Sequence, residues 1–135
     1  MQRLFTYLLF DGDCQEALKF YERLFHGRIE VLSTVGESPM ARQFPQGSAH
    51  RIIHGRINIA GCTLMASDWM AEGPYPGIHG ARVMLTYPHA ENATQAFAAL
   101  ANGGRVEMPL QETPFAKAYG TLTDRFGVPW QVMVE

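Results

Sequence analysis

Two histidines, His50 and His54, stand four residues apart, the spacing at which imidazoles on one helix face share a metal ion. The run that follows His50 is Arg-Ile-Ile-His-Gly-Arg-Ile-Asn-Ile, rich in β-branched residues, and it reads as a strand. At about 3.3 Å per residue the two backbones then lie roughly 13 Å apart, too far to hold one ion between them. Cys14 falls in the first turn of an expected helix, where free N–H groups lower a thiol pKa. No histidine base adjoins it, so packing is the better account. Cys62 sits in a tight turn. Two cysteines without a Cys-x-x-Cys leave no zinc-finger, dithiol or disulfide framework. Phe115, Tyr119, Phe126 and Trp130 gather near the C-terminus, where aromatics either wall a pocket for a flat ligand or fill a core. Trp130 and Gln131 are neighbours on an expected strand, so only one of them faces any given side. Tyr7, Tyr21 and Tyr87 fall in strand and helix patterns and read as core. There is no Gly-x-Gly-x-x-Gly, P-loop or Gly-x-Ser-x-Gly, which leaves nucleotide-fold and serine-hydrolase readings without a motif.

The elements that position these side chains belong to a single domain's length of chain, 135 residues. The composition, 47% hydrophobic and 18% charged, suits a compact soluble core. A net charge of -2 gives no basic face for nucleic acid. No apolar run reaches the roughly 18 to 20 residues that span a bilayer, so no membrane partner is expected. The opening Met-Gln-Arg-Leu-Phe-Thr-Tyr lacks the shape of a signal peptide, and a cytoplasmic setting is the expectation.

The chain also repeats itself. Shifted by 77 positions, Gly27-Arg28-Ile29-Glu30 falls on Gly104-Arg105-Val106-Glu107, Leu8 on Leu85, Phe10 on Tyr87 and Phe20 on Phe97. Leu4–Phe10 reads as a strand. Asp13 with Glu16 has the form of a capping box. Ala17, Leu18, Tyr21, Leu24 and Phe25 recur at helical spacing, and Gly27 is read as the positive-φ stop. Strands are expected at Ile29–Val35, Arg51–Ile59 and Thr63–Ser67. The second half copies this plan with a strand at Ala81–Tyr87 and a helical stripe of Ala93, Ala96, Phe97 and Leu100. The turn Asn102-Gly103-Gly104 follows, then strands near Lys117–Thr123 and Trp130–Val134. The expected organisation is one domain of two βαβββ modules, about 3–68 and 81–135, with a linker at about 69–80. Gly36–Ala49 is a long loop, of a length that is often functional or mobile. The fold class is α+β, with the two modules forming a curved mixed sheet and a concave pocket.

The segments Tyr7–Tyr21, Ile53–Asp68 and Gly120–Trp130 carry a resemblance to the vicinal oxygen chelate superfamily, the glyoxalase, bleomycin-resistance and extradiol-dioxygenase fold. The chain looks most like its PhnB-like branch. The resemblance implies paired βαβββ modules, commonly as a homodimer. Metal enzymes of the superfamily take His or Glu ligands from the first and last strands of each module. The matching places here hold Thr6, Leu64 or Met65, Arg82 and Gln131, with Phe5, Tyr7, Val83, Trp130 and Val132 beside them, and none of these is a normal divalent-ion ligand. The expectation is no metal and no cofactor. His54 matches a histidine common in the branch. The family register points Arg82 at the concavity, where its planar fork would clamp an oxyanion. The alternative for Arg82 is an ion pair with a neighbouring carboxylate. The same register favours Gln131 as the inward residue. The branch often carries Trp-Gly-Asp-Arg before its final hairpin, and here Phe115-Ala116-Lys117-Ala118 stands instead. The expected ligand contacts are His54, Arg82, Tyr119, Trp130 and Gln131, and the catalytic residues are unknown. Three functions follow: a metal-independent small-molecule binding protein, a metal-dependent lyase or dioxygenase of the same fold, or a dimeric module without catalysis.

Overall fold

A computed structural model describes residues 1–135. The chain divides into two compact units, Met1–Gly77 and Ile78–Glu135. The first unit runs β1 (Thr6–Phe10), α1 (Cys14–Phe25), β2 (Arg28–Thr34), β3 (Ile52–Ile59) and β4 (Cys62–Asp68). The second runs β5 (Val83–Tyr87), α2 (Ala90–Ala101), β6 (Arg105–Thr113), β7 (Ala116–Thr123) and β8 (Pro129–Val134). Each unit is one four-stranded mixed sheet, ordered β1-β4-β3-β2 and β5-β8-β7-β6. In each the first pair is parallel and the others antiparallel. The fold is α+β and built from two βαβββ modules.

The 77-residue offset relates the starts of β1 and β5 (83 minus 6) and of β2 and β6 (105 minus 28). It then drops to 64 between the starts of β3 and β7 (116 minus 52). The cause is the long loop between Thr34 and Ile52, which includes a 3-10 turn at Ala41–Gln43, against a two-residue connection at Pro114-Phe115.

Strand alternation explains which side of each sheet is core. Leu8 and Phe10 of β1 and Ala17, Leu18 and Tyr21 of α1 are all buried. In the second unit Ala93, Ala96, Phe97 and Leu100 of α2 cover Leu122, Trp130, Val132 and Val134. Burying each large apolar side chain contributes about 1.5–3 kcal/mol. Tyr21 is core as expected, and so is Phe126.

Three local expectations are corrected. Asp13 is the N-cap of α1, but its side chain makes no capping bond. Its buried Oδ1 has no hydrogen-bond partner, and burial raises its pKa. Asp68, at the end of β4, takes over the role: its Oδ1 accepts from the Gly12 and Cys14 N–H groups at 2.8 and 3.0 Å. Its Oδ2 accepts from the Ile52 N–H at 2.8 Å, tying α1, β3 and β4 together. The left-handed residue that ends α1 is His26, with φ 52°, rather than Gly27. Gly27 is required for a different reason. A Cβ there would lie 2.5 Å from the Asn58 carbonyl oxygen, and at Gly104 it would lie 2.3 Å from that of Thr123. The repeated glycine marks a close backbone crossing in both units.

Candidate functional site on the open sheet faces

In β3, Ile57 is buried and a Cβ on Gly55 would strike Leu18 of α1, so both positions face the helix. His54 and Arg56 therefore project from the opposite, open face. In β1 the helix-facing residues are Leu8 and Phe10, which leaves Tyr7 and Leu9 on the open side, 46% and 36% exposed. Register places Tyr7 beside Met65 and Met65 beside Arg56.

The second unit repeats this geometry. A Cβ on Gly120 would strike Phe97 of α2, and Leu122 is buried, so Tyr119 and Thr121 face away. Register places Met84 beside Gln131 and Gln131 beside Thr121. The open-face positions of Tyr7, Met65, Arg56 and His54 thus correspond to Met84, Gln131, Thr121 and Tyr119. By the same count Phe5 corresponds to Arg82.

Four of the five expected contacts lie on these faces or their margins, one in the first unit and three in the second. His54 is in the first unit, half-buried. Its ring stacks on Tyr7 with centroids 6.0 Å apart and planes 28° from parallel, and its Nδ1 lies 3.4 Å from the Tyr7 hydroxyl. Tyr119 and Gln131 are in the second unit, where Tyr119 meets Phe115 edge-to-face at 5.0 Å. Arg82 precedes β5, and its fork is already engaged. Nη1 donates to Glu107 Oε1 at 2.9 Å and to the carbonyls of Leu122 and Trp130 at 3.3 and 3.4 Å. Arg105 and Thr123 also hold Glu107. The hydrogen bond from Arg82 holds the Glu107 carboxyl below its usual range; desolvation opposes it, and the hydrogen bonds from Thr123 and Arg105 add to the lowering.

Trp130 stands apart from the other four. It is fully buried, and its indole N–H donates to Asp124 Oδ2 at 2.8 Å. Asp124 Oδ1 also accepts from the Phe126 and Val128 N–H groups, so this aromatic anchors the β7–β8 turn from the helix side. Two aromatics depart the other way. Tyr7, expected in the core, is on the open face, and Phe115 is 67% exposed at the β6–β7 hairpin.

Sequence reasoning passed over Arg56. Its signal was the alternation His54, Arg56, Asn58 within an otherwise aliphatic strand, which marks one polar face. The guanidinium carbon lies 5.6 Å from the Phe5 ring centroid, and Arg3 lies over the same ring at 4.8 Å. Both contacts are within the range of cation–π attraction.

The open faces bring His54 as a single imidazole among a phenol, thioethers, an amide and guanidinium groups, and Thr6 and Leu64 point to the helix side by their register with each other. No group of three His, Cys, Asp or Glu side chains is placed to hold a metal. Cys14 is buried, and that burial, with Asp68 and Asp13 nearby, pushes its thiol pKa far up, which removes it as a nucleophile. His50 lies outside β3 in an exposed turn.

Surface grooves lie elsewhere. One of about 500 Å³ is bordered by Glu112, Phe115, Lys117 and Glu135. Another of about 250 Å³ lies between the long loop and Trp69, with Arg51 on its wall. Arg51 is committed there to the Trp69 carbonyl at 2.7 Å and to Asp11 at 3.4 Å.

Comparison with known proteins gives a consistent set. The family model described as 3-demethylubiquinone-9 3-methyltransferase matches residues 2–133. Protein YjdN of Escherichia coli (strain K12) is 34% identical, over 97% of this chain and 94% of that protein. The crystal structure of protein PA1353 from Pseudomonas aeruginosa is similar at a TM-score of 0.91 and 38% identity, covering 100% of this chain and 98% of that one. A PhnB protein from Bacillus cereus, titled a putative 3-demethylubiquinone-9 3-methyltransferase, is similar at a TM-score of 0.85 and 29% identity, covering 99% and 100%. At 13% identity and a TM-score of 0.65, a glyoxylase/bleomycin resistance protein/dioxygenase domain from Frankia sp. EAN1pec shares the fold.

Proposed function

Starting from the chain's membership of the PhnB-like family, whose model is described as 3-demethylubiquinone-9 3-methyltransferase, we propose that it binds a small molecule without a metal ion. The observation that carries this reading is the open face of the first sheet. There Tyr7, His54 and Arg56 stand together opposite the helix-covered side, offering two rings and a cation. Arg82, Tyr119 and Gln131 are the corresponding contacts proposed on the second sheet. Methyl transfer from a nucleoside donor has no support here, because neither unit is the doubly wound sheet such a donor site is built on.

A thermal-shift screen against a broad small-molecule library, run with and without EDTA, tests the proposal. The expected result is at least one compound that raises the melting temperature equally in both conditions. A hit that vanishes with EDTA, or a screen without any hit, overturns it.

The proposed assembly is a homodimer, a reading supported by the family resemblance and by Met84 and Met108, which are 45% and 37% exposed on the second sheet's open face. Light scattering on the purified protein gives about twice the 15.1 kDa chain mass if this is right and the chain mass if it is wrong. The proposed setting is cytoplasmic. No helix is long and apolar enough to cross a membrane.

A further inference from the structure

The open face of the first sheet carries an arginine without a counter-charge. Arg28, Arg51, Arg82 and Arg105 each lie within 3.5 Å of a carboxylate oxygen. Arg56 makes no such pair, and its buried Nε has no hydrogen-bond partner. The shielded Nε lies out of a ligand's reach, but the guanidinium carries its charge with no carboxylate against it, and an incoming oxyanion at its outer N–H groups would make a charge-assisted bond. The surroundings restrict what such an anion can be attached to. On one side Phe5 already lies against the Arg56 guanidinium. Two residues along the same strand, about 7 Å away, stands His54, stacked on Tyr7. This spacing fits a molecule with its negative group at Arg56 and a flat ring against the Tyr7–His54 pair. The second sheet has no equivalent. Thr121 takes the place of Arg56, and the arginines on that side, Arg82 and Arg105, are both neutralised by Glu107.

We propose that the first sheet's open face is a site for an aromatic carboxylate or similar flat oxyanion, with Arg56 as the anion-binding residue and Tyr7 and His54 as the ring platform. This rests on the small-molecule reading above and specifies its ligand class. Arg56 acts on charge and Tyr7 with His54 on shape, so the two contributions separate experimentally.

Amide-resolved NMR titrations with benzoate, benzamide, acetate and inorganic phosphate provide the test. Benzoate is expected to shift resonances of Tyr7, His54 and Arg56 and to bind about tenfold or more tightly than benzamide, the neutral isostere, and than acetate, which lacks the ring. Arg56→Met is expected to abolish the preference for benzoate over benzamide, and Tyr7→Ala the preference for benzoate over acetate. Equal affinities for benzoate and benzamide in the unaltered protein overturn the anion assignment, and this comparison holds even if Arg56→Met does not fold. Phosphate or acetate binding as tightly as benzoate overturns the ring assignment. If none of the four probes moves these resonances although the library screen yields a hit, the ligand class is wrong and the small-molecule reading survives. If the screen also yields nothing, both fall.

Discussion

The two units keep one frame and carry two different faces. On the helix side the correspondence is close: Leu8 and Leu85, and Phe10 and Tyr87, take equivalent places, Leu18 and Phe97 stand against the equivalent glycines Gly55 and Gly120, and Gly27 and Gly104 serve the same backbone crossing, although Phe20, which the repeat aligns with Phe97, is only half-buried. On the open side almost nothing is shared. Phe5, Tyr7, His54, Arg56 and Met65 in the first sheet face counterparts Arg82, Met84, Tyr119, Thr121 and Gln131 in the second. Packing constrains the covered side, because close-packed cores tolerate little change in volume. The open side is released from that constraint, and there the duplicated halves have diverged in chemistry. The first retains an unneutralised cation beside rings. The second closes its arginine into a network and exposes methionine.

The frame itself differs in one respect, and this gives the largest expected effects. Each unit buries a carboxylate that accepts three N–H groups. Asp68 links separate elements (Gly12, Cys14 and Ile52), whereas Asp124 serves one turn (Phe126, Val128 and the Trp130 indole). Removing either acceptor strands its donors, at a cost of about 3–5 kcal/mol. Asp68→Ala is expected at the upper end and Asp124→Ala at the lower, measured by urea denaturation. Equal losses would show that bridging elements adds nothing beyond the bonds.

The repeated glycine is expected to matter equally in both units. Gly27→Ala and Gly104→Ala each push a Cβ into a facing carbonyl, for about 2–3 kcal/mol apiece by the same denaturation assay. A tolerated substitution at one position only would break the equivalence of the two crossings.

The smallest effect concerns the Gly-Arg-x-Glu repeat. Glu107 is held by Arg82, Arg105 and Thr123, but its counterpart Glu30 has only the exposed Arg28, at 3.5 Å. Because the folded Glu107 carboxyl titrates below its ordinary value of 4.5, its contribution is present above that pH and is lost as pH falls through the lower folded value. Glu107→Gln is expected to cost about 0.5 kcal/mol at neutral pH and nothing in strong acid, and Glu30→Gln to change stability by about zero throughout. Thermal melts across pH 3 to 7 check this, and a matching loss at Glu30 would remove the distinction.

Much of the frame was legible because it is written in short-range signals. Alternation, helical spacing and the 77-residue repeat locate both βαβββ modules to within a residue or two at most strand ends. What was not legible depends on contacts distant in sequence. The cap of α1 comes from Asp68, 54 residues after Cys14, so the local Asp13–Glu16 pattern pointed to the wrong carboxylate. Gly27 looked like a helix stop because its close approach to Asn58 exists only once β2 and β3 pair. On the site side, His54, Arg82, Tyr119 and Gln131 all lie on open faces or their margins. Trp130 could not be separated from them by residue type, since the indole that would wall a pocket is the same group that Asp124 anchors in the core. Tyr7 was misassigned because five strand residues of apolar character do not reveal which parity meets the helix.

Mapping amide chemical-shift changes for the strongest library hit, in the presence of EDTA, tests the divergence of the two faces most directly. The account predicts changes centred on Tyr7, His54 and Arg56, with the equivalent positions Met84, Tyr119 and Thr121 responding less. Changes centred on the second sheet, or on the groove at Phe115 and Lys117, would contradict it.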